Sequence, residues 1–274
     1  MPELPEVETI ARILRPVLID KTILSADLRW PRTLATPSPA VFKKRLKGQQ
    51  IESISRRAKF LDIQLSNLHL LIHLRMSGDL LVVLGGYQPA KHDRLIMQLS
   101  QDTSLIFSDP RKFGRVWLVD DPTKIFQGLG PEPLSEAFTP GWLYSALHTR
   151  QRQLKPLLLD QTFLAGLGNI YTDEALHLAK LHPLSSSDLV TKRQAKSLWQ
   201  AIQEVLEEGI HRNGASIDWV YRGGDFQNHF RVYGRTGKPC LVCGTIIEHI
   251  TVGQRGTHIC PRCQGLAKPK NPVK

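Results

Sequence analysis

No long apolar run occurs in this sequence. The longest uninterrupted stretches are short, such as Leu80 to Leu84, whereas a membrane-spanning helix needs about 20 apolar residues. A membrane-embedded protein is therefore not expected. Cations followed by an apolar stretch are missing from the first ten residues, MPELPEVETI, which carry acids instead. Export by a standard secretory signal is not expected, and the reading is a cytoplasmic protein. Acidic residues are in deficit: 25 Asp and Glu face 36 Lys and Arg, a net charge of +11. Such an excess favours polyanions, meaning nucleic acid or an anionic membrane surface, over acidic or neutral partners. A solubility surplus of Lys and Arg is the competing reading. Aromatics make up only 7%, which argues against a protein built mainly of base-stacking platforms. There is no internal repeat.

What is present describes a globular chain. Hydrophobic residues are 41% and charged residues 22% of 274, a balance that can bury a core, and the length points to roughly two domains. The only four cysteines are clustered as two Cys-x2-Cys knuckles, Cys240/Cys243 and Cys260/Cys263. Two tight knuckles at this spacing suit one tetrahedral, structural Zn2+. A disulfide pair is the alternative, but nothing points to an oxidising compartment.

Period changes divide the chain. Residues 2–14 have helical spacing, with Val7, Ile10, Ile13 and Leu14 on one face. From Thr22 to about Val119 short alternating or apolar runs read as strands separated by turn signals, with a short helix over 39–47. From Pro140 the period is helical: TPGWLYSALHTRQRQLKPLLLDQ, NIYTDEALHLAKL and SSSDLVTKRQAKSLWQAIQEVLEEGIHR read as successive helices, the last capped by Asp188 or a neighbouring serine. Residues 214–230 read as a loop and the last residues as a frayed basic tail. The expected class is α+β with two domains. An N-terminal β-sandwich with flanking helices spans 2–130, helices span 131–230, a zinc ribbon spans 231–264 and the tail spans 265–274.

Five places could carry chemistry. Pro2 follows Met1, whose removal would expose a secondary amine able to attack a sugar C1′ and form an iminium. Glu3, beside it, could act as general acid. The plain alternative is a helix start with acids on its positive end. In RRAKFL, alternation puts Arg57 and Lys59 on one strand face; an exposed basic edge is the bland reading. DPRKFG places Phe113 among cations Arg111 and Lys112 on a turn, suited to wedging between bases, unless Phe113 returns to the core. Met76, ending HLRMSG, could act similarly. In LAGLGNIY, glycines and Asn169 at a helix start suit a phosphate, or simply a capped turn. Arg255 in GQRG sits at a ribbon tip open to phosphate or to solvent.

Their order along one chain is more specific than any of them. PELPEVET at the start, RRAKFL, HLRMSG, KHD, DPRKFG, LGPEPL, KPLLLDQ, GLGNIYTDEAL and the four-cysteine ribbon, covering residues 2–263, resemble the formamidopyrimidine-DNA glycosylase family (MutM type) of bacterial base-excision repair. The related endonuclease VIII begins Pro-Glu-Gly-Pro-Glu; Leu4 stands where that glycine would fall, favouring the purine-lesion branch. The resemblance implies a β-sandwich joined to a helix–two-turn–helix domain and a zinc ribbon, acting as a monomer on duplex DNA with an oxidised purine or an abasic site. It further implies roles. Pro2 is the nucleophile and Glu3 the proton donor at the sugar. Lys59 serves β-elimination and a phosphate, and Arg255 serves δ-elimination and a phosphate. Met76, Arg111 and Phe113 fill the space of the flipped base, and His92, Arg150, Lys155 and Asn169 hold the backbone. Two stretches depart from the common pattern, Gly253-Gln254-Arg255-Gly256 and Asn213-Gly214-Ala215-Ser216; they bear on preference among oxidised purines. Rival readings are a glycosylase for oxidised pyrimidines and a damaged-DNA-binding zinc protein without chemistry.

Overall fold

The computed structural model describes residues 1–216 and 223–266. The middle of the loop expected over 214–230 and most of the expected basic tail lie outside these residues. The chain divides into two compact units, Met1–Gln127 with Asn213–Gly224, and Gly128–Arg212 with Asp225–Lys274. The ribbon shares its unit with the helices, in keeping with two domains. The division expected from sequence differs in one way: segment 213–224, placed there with the helices, returns to the first unit. The return is held by Glu6, whose Oε1 accepts the Ala215 N–H at 2.8 Å.

The first unit opens with α1 (Leu4–Leu18), whose N-cap is Glu3. Its core face is Val7, Ile10, Ala11, Leu14 and Leu18; Ile13, expected on that face, is 60% exposed. Two sheets follow. One has the order β1-β7-β8-β6, from Ile23–Leu28, Asp93–Leu99, Thr103–Ser108 and Asp79–Leu84. The other has the order β2-β9-β5-β4-β3, from Leu34–Thr36, Arg115–Val119, His69–His73, Phe60–Leu65 and Ile51–Arg57. Every pairing is antiparallel except β2 with β9. Inward residues of both sheets, among them Leu95, Leu105, Phe107, Ile63, Leu70 and Val116, share one core with α1 and with Phe42 and Leu46 of α2 (Pro39–Leu46), as a sandwich requires. A short α3 (Thr123–Phe126) ends the run.

The second unit is helical. The single helix expected from Pro140 is broken into α4 (Pro140–His148) and α5 (Leu154–Leu159). Tertiary partners outcompete helix continuation there. The Leu154 and Lys155 amides donate to the Ser185 and Pro183 carbonyls at 3.0 and 3.1 Å, and Ser187 Oγ donates to the Arg150 carbonyl at 2.6 Å. A glycine-rich turn leads into α6 (Asn169–Leu178), and Thr191, not Asp188, caps α7 (Lys192–His211) through a box with Gln194. The β10 (Glu248–Val252) and β11 (Arg255–Ile259) hairpin completes the ribbon.

Helices α6 and α7 meet at Gly209. A methyl group there would lie 2.5 Å from Tyr171 Cε1 and 2.7 Å from its hydroxyl. The Tyr171 ring is fully buried and stacks on Phe226 with centroids 5.1 Å apart, so it has no room to yield. Gly209→Ala therefore lowers the urea midpoint despite gaining about 1 kcal/mol of helix propensity, because overpacking costs about 1–3 kcal/mol. A raised midpoint would refute this packing.

Candidate functional site

Strand register gathers the first unit's candidates. In the five-stranded sheet His73, at the end of β5, pairs with Phe60 at the start of β4 and Arg115 at the start of β9. In the other sheet Ser108, ending β8, pairs with both Asp79 and Asp93. The loops 74–78 and 109–114 join these two rows, so the turn carrying Lys59, the Met76 loop, His92 and the Arg111–Phe113 loop share one end of the sandwich.

A buried carboxylate organises those loops. Asp109, fully buried, accepts from the Gly114 amide at 2.7 Å, the Arg111 amide at 3.1 Å and the Ser77 hydroxyl. The Asp109 amide donates to the His92 carbonyl at 2.8 Å, and Arg94 Nε donates to the Asp109 carbonyl at 2.7 Å. Gly114 is required, since a Cβ would lie 2.3 Å from the buried Phe107 ring. The result presents Met76 and Phe113, 39% and 49% exposed, with the Arg111 guanidinium 5.0 Å from the Phe113 ring centre. Phe113 does not return to the core. His92 and Arg111 are exposed beside it.

Lys59 is not on a strand face, as alternation suggests. Ala58 and Lys59 form the turn between β3 and β4, with Ala58 at φ +54°, a left-handed conformation that costs roughly 1–2 kcal/mol. Lys59 is 5% exposed. Arg56 joins this turn to α1: its Nη1 donates to the Ala58 carbonyl at 3.1 Å and its Nε to Glu8 Oε2 at 3.3 Å. At the head of α1, Pro2 and Glu3 are buried, and the Glu3 amide donates to Glu6 Oε2 at 2.8 Å. The sequence does not single out His73, which ends β5 at this end of the sandwich and is buried. Burial first, then the charges of Arg75 and Lys59, pushes its ring down to about 3. Asp109 and Glu6 were missed too; nothing local distinguishes a buried acid from a surface one.

The second unit presents a different set. Lys155, expected on a phosphate, has no exposed surface. Its ammonium donates to Asp173 Oδ1 at 2.6 Å, Thr257 Oγ1 at 2.8 Å and the Gly256 carbonyl at 3.0 Å. It is an internal strut for the ribbon tip, because a buried ammonium needs a counter-charge and acceptors. Asn169 does not cap α6; Gly168 does. Asn169 Nδ2 instead donates to the same Gly256 carbonyl at 3.0 Å. Glu174, fully buried, accepts the amides of Arg231, Val232 and Tyr233 at 2.8–2.9 Å. Between β10 and β11 the Gly253-Gln254 turn has φ of +55° and +61°, the twist a two-residue hairpin prefers, and leaves Arg255 exposed. Arg150 is exposed at the end of α4, where it donates to the Ala146 carbonyl at 3.3 Å.

The Sγ atoms of Cys240, Cys243, Cys260 and Cys263 all lie within 4.8 Å of one another. Cys240–Cys263, Cys243–Cys260 and Cys243–Cys263 are 3.9, 3.5 and 3.5 Å apart. A tetrahedron with Zn–S bonds of 2.3 Å has edges of about 3.8 Å, so the donor set fits zinc. Thiols this close do not ionise together without a cation: burial and neighbouring sulfurs push Cys263 up, while hydrogen bonds with Thr245 hold Cys243 at about 6.

Two outcomes test this geometry. Asp109→Ala removes the acceptor of two loop amides, so hydrogen exchange at Arg111 and Gly114 accelerates by about tenfold or more; unchanged rates would contradict it. His73 is protonated in the unfolded chain below about pH 6.5 but stays neutral when folded. Its contribution is therefore present above pH 6.5 and lost as pH falls toward 3. Urea titrations at pH 6.5 and pH 4 should show a stability difference about 3 kcal/mol smaller in His73→Gln.

Three family profiles match the chain: the formamidopyrimidine-DNA glycosylase N-terminal domain over residues 1–116, the H2TH domain of the same enzymes over 129–220, and a zinc finger found in FPG and IleRS over 237–265. The formamidopyrimidine-DNA glycosylase of Chloroflexus aggregans is 47% identical, covering 98% of this chain and 100% of that protein. That of Herpetosiphon aurantiacus is 44% identical, covering 96% and 100%. A Lactococcus lactis FPG (MutM) solved with Fapy-dG-containing DNA superposes with a TM-score of 0.91 at 39% identity, covering 96% of this chain and 100% of that one. The L. lactis protein solved with abasic-site DNA gives 0.91 at 38% identity, covering 96% and 99%. No helix among the described residues is long and apolar enough to cross a membrane. Matched over nearly its whole length in sequence and fold, the chain belongs to the formamidopyrimidine-DNA glycosylase family of DNA-repair enzymes, with a structural zinc site in its ribbon.

Proposed function

We propose that this enzyme excises oxidised purines, 8-oxoguanine and formamidopyrimidines, from duplex DNA and cleaves the strand by β,δ-elimination through a Schiff base on Pro2. The reading rests on one observation above others. Pro2 and Glu3 are buried at the head of α1, where Glu6 accepts the Glu3 amide, and Glu8 of the same helix is linked through Arg56 to the turn that carries Lys59. The relatives whose structures contain Fapy-dG and abasic-site DNA support the substrate class. We place the enzyme in the bacterial cytoplasm, on the nucleoid.

The chemistry needs Met1 removed, since an acylated proline nitrogen is an amide without a nucleophilic lone pair. The freed Pro2 nitrogen attacks C1′ and the C1′–N9 bond breaks; the base leaves with that electron pair and takes up the proton the Pro2 nitrogen sheds. Glu3 gives a proton to O4′ as the sugar opens, leaving an iminium. Loss of the C2′ proton expels the 3′ phosphate, with Lys59 as donor. Loss of the C4′ proton then expels the 5′ phosphate, with Arg255 assisting. Water hydrolyses the iminium and returns Pro2. The base must first leave the stack, at a cost of a few kcal/mol, which Met76, Arg111 and Phe113 offset by occupying the gap. His92, Arg150 and Asn169 meet the backbone, and Lys155 acts there only through the ribbon tip it supports.

Borohydride trapping on single-lesion duplexes tests this. Processed enzyme forms a covalent adduct on Pro2; protein retaining Met1 binds but does not trap. Glu3→Gln slows excision of 8-oxoguanine by about 100-fold or more and slows cleavage of a preformed abasic site less. An adduct mapped to Lys59 overturns the nucleophile, a preference for oxidised pyrimidines overturns the substrate, and binding without any adduct from processed enzyme overturns the chemistry.

A further inference from the structure

Helix α6 carries three polar residues four apart, Asn169, Asp173 and His177, a spacing that puts them in one stripe. The first two hold the β10–β11 hairpin: Asn169 Nδ2 donates to the Gly256 carbonyl, and Asp173 Oδ2 accepts the His258 amide at 2.9 Å. The third reaches the first cysteine knuckle. His177 and Cys240 are each 3% exposed, and His177 Nε2 lies 3.5 Å from Cys240 Sγ.

The proton on this contact can be assigned from chemistry. A zinc-bound cysteine is a thiolate and has no proton to give, so the ring must be the donor. His177 Nδ1 is buried and has no partner among the described residues; a proton placed there would be a buried donor with no acceptor. The ring therefore carries its proton on Nε2. Cys240 Sγ also accepts the Val242 amide at 3.4 Å, but that donor belongs to the knuckle itself. The His177 donor comes from a helix of the preceding segment and is fixed by that helix's own hydrogen bonds.

We propose that His177 is a positioning residue of the zinc centre, donating an N–H···S hydrogen bond to the Cys240 thiolate. The bond does two things. It draws charge from the sulfur, so Cys240 reacts more slowly with electrophiles and oxidants and zinc is retained. It also docks the metal end of the ribbon on α6, as Asn169 and Asp173 dock the hairpin end, so the ribbon that carries Arg255 is held at both ends.

The test uses full-length, zinc-loaded protein and two replacements. His177→Phe fills the volume without a donor; His177→Gln keeps an N–H at similar reach. Zinc release to a chromogenic chelator under excess N-ethylmaleimide is expected to run about tenfold faster in His177→Phe, with Gln within about threefold of the parent. In the unmodified sequence loaded with 113Cd, a scalar coupling between the metal and the His177 Hε2 proton is expected, with Nε2 the protonated nitrogen in 15N spectra. The last measurement holds even if a variant misfolds. Release from His177→Phe at the parental rate, failure of Gln to rescue, or a proton on Nδ1 without metal coupling would each overturn the proposal.

Discussion

A buried carboxylate must find its hydrogen-bond donors inside the protein, and the loops of both units hang on that requirement. Glu6, Asp109, Asp173 and Glu174 are each at most 2% exposed. Glu6, Asp109 and Glu174 each collect two or three backbone amides, and Asp173 takes the Lys155 ammonium and the His258 amide. Left without those donors a buried charge costs several kcal/mol. Each acid therefore fixes the backbone around it more firmly than apolar contact alone would. Glu6 secures the return of the chain at Ala215, Asp109 shapes the loop of Arg111 and Phe113, and Glu174 seats the segment that leads into the ribbon.

The same logic separates residues that support from residues that are presented. In the first unit Asp109, Ser77, Arg94 and Gly114 are buried, and the exposed groups they hold out are Met76, Arg111 and Phe113. In the second unit Lys155, Asp173 and Thr257 are buried, and the exposed group is Arg255. A side chain whose backbone is held rigidly while it stays open to solvent can meet a partner without first being ordered. Charge pairs within the protein would compete with phosphate for the same cation. Lys155 illustrates the difference: it is basic and lies in a family motif, yet its protons are already committed to Asp173, Thr257 and Gly256.

Helix α6 acts as the frame of the second unit. One flank faces α7 through Tyr171 and Gly209, and its polar residues reach the ribbon at the hairpin, at the 231–233 segment and at Cys240. Small zinc ribbons bury little apolar surface; here the buried cluster is Val232, Cys240, Ile247 and Cys260. Metal coordination and hydrogen bonds to a neighbouring helix supply what so small a core does not.

Much was legible in the sequence because it depends on local chemistry. Knuckle spacing identified the four metal ligands, alternation and turn signals marked the strands, and charge favoured a polyanionic partner. The order of short motifs along the chain named the family. Everything that depended on competition between local and distant partners was decided by tertiary structure. The helix expected through 150–153 breaks because Ser185, Pro183 and Ser187 offer that backbone better partners. Lys59 leaves its strand face because β3 and β4 pair right up to a two-residue turn. Lys155 turns inward because Asp173, 18 residues on, and the Gly256–Thr257 stretch, some hundred residues on, surround its ammonium. Segment 213–216 joins a unit that begins more than 200 residues earlier because Glu6 holds its amide. Sequence patterns report which side chains suit water and which suit a core; they carry no record of which distant donor meets which buried acceptor, and that pairing is what the folded chain alone determines.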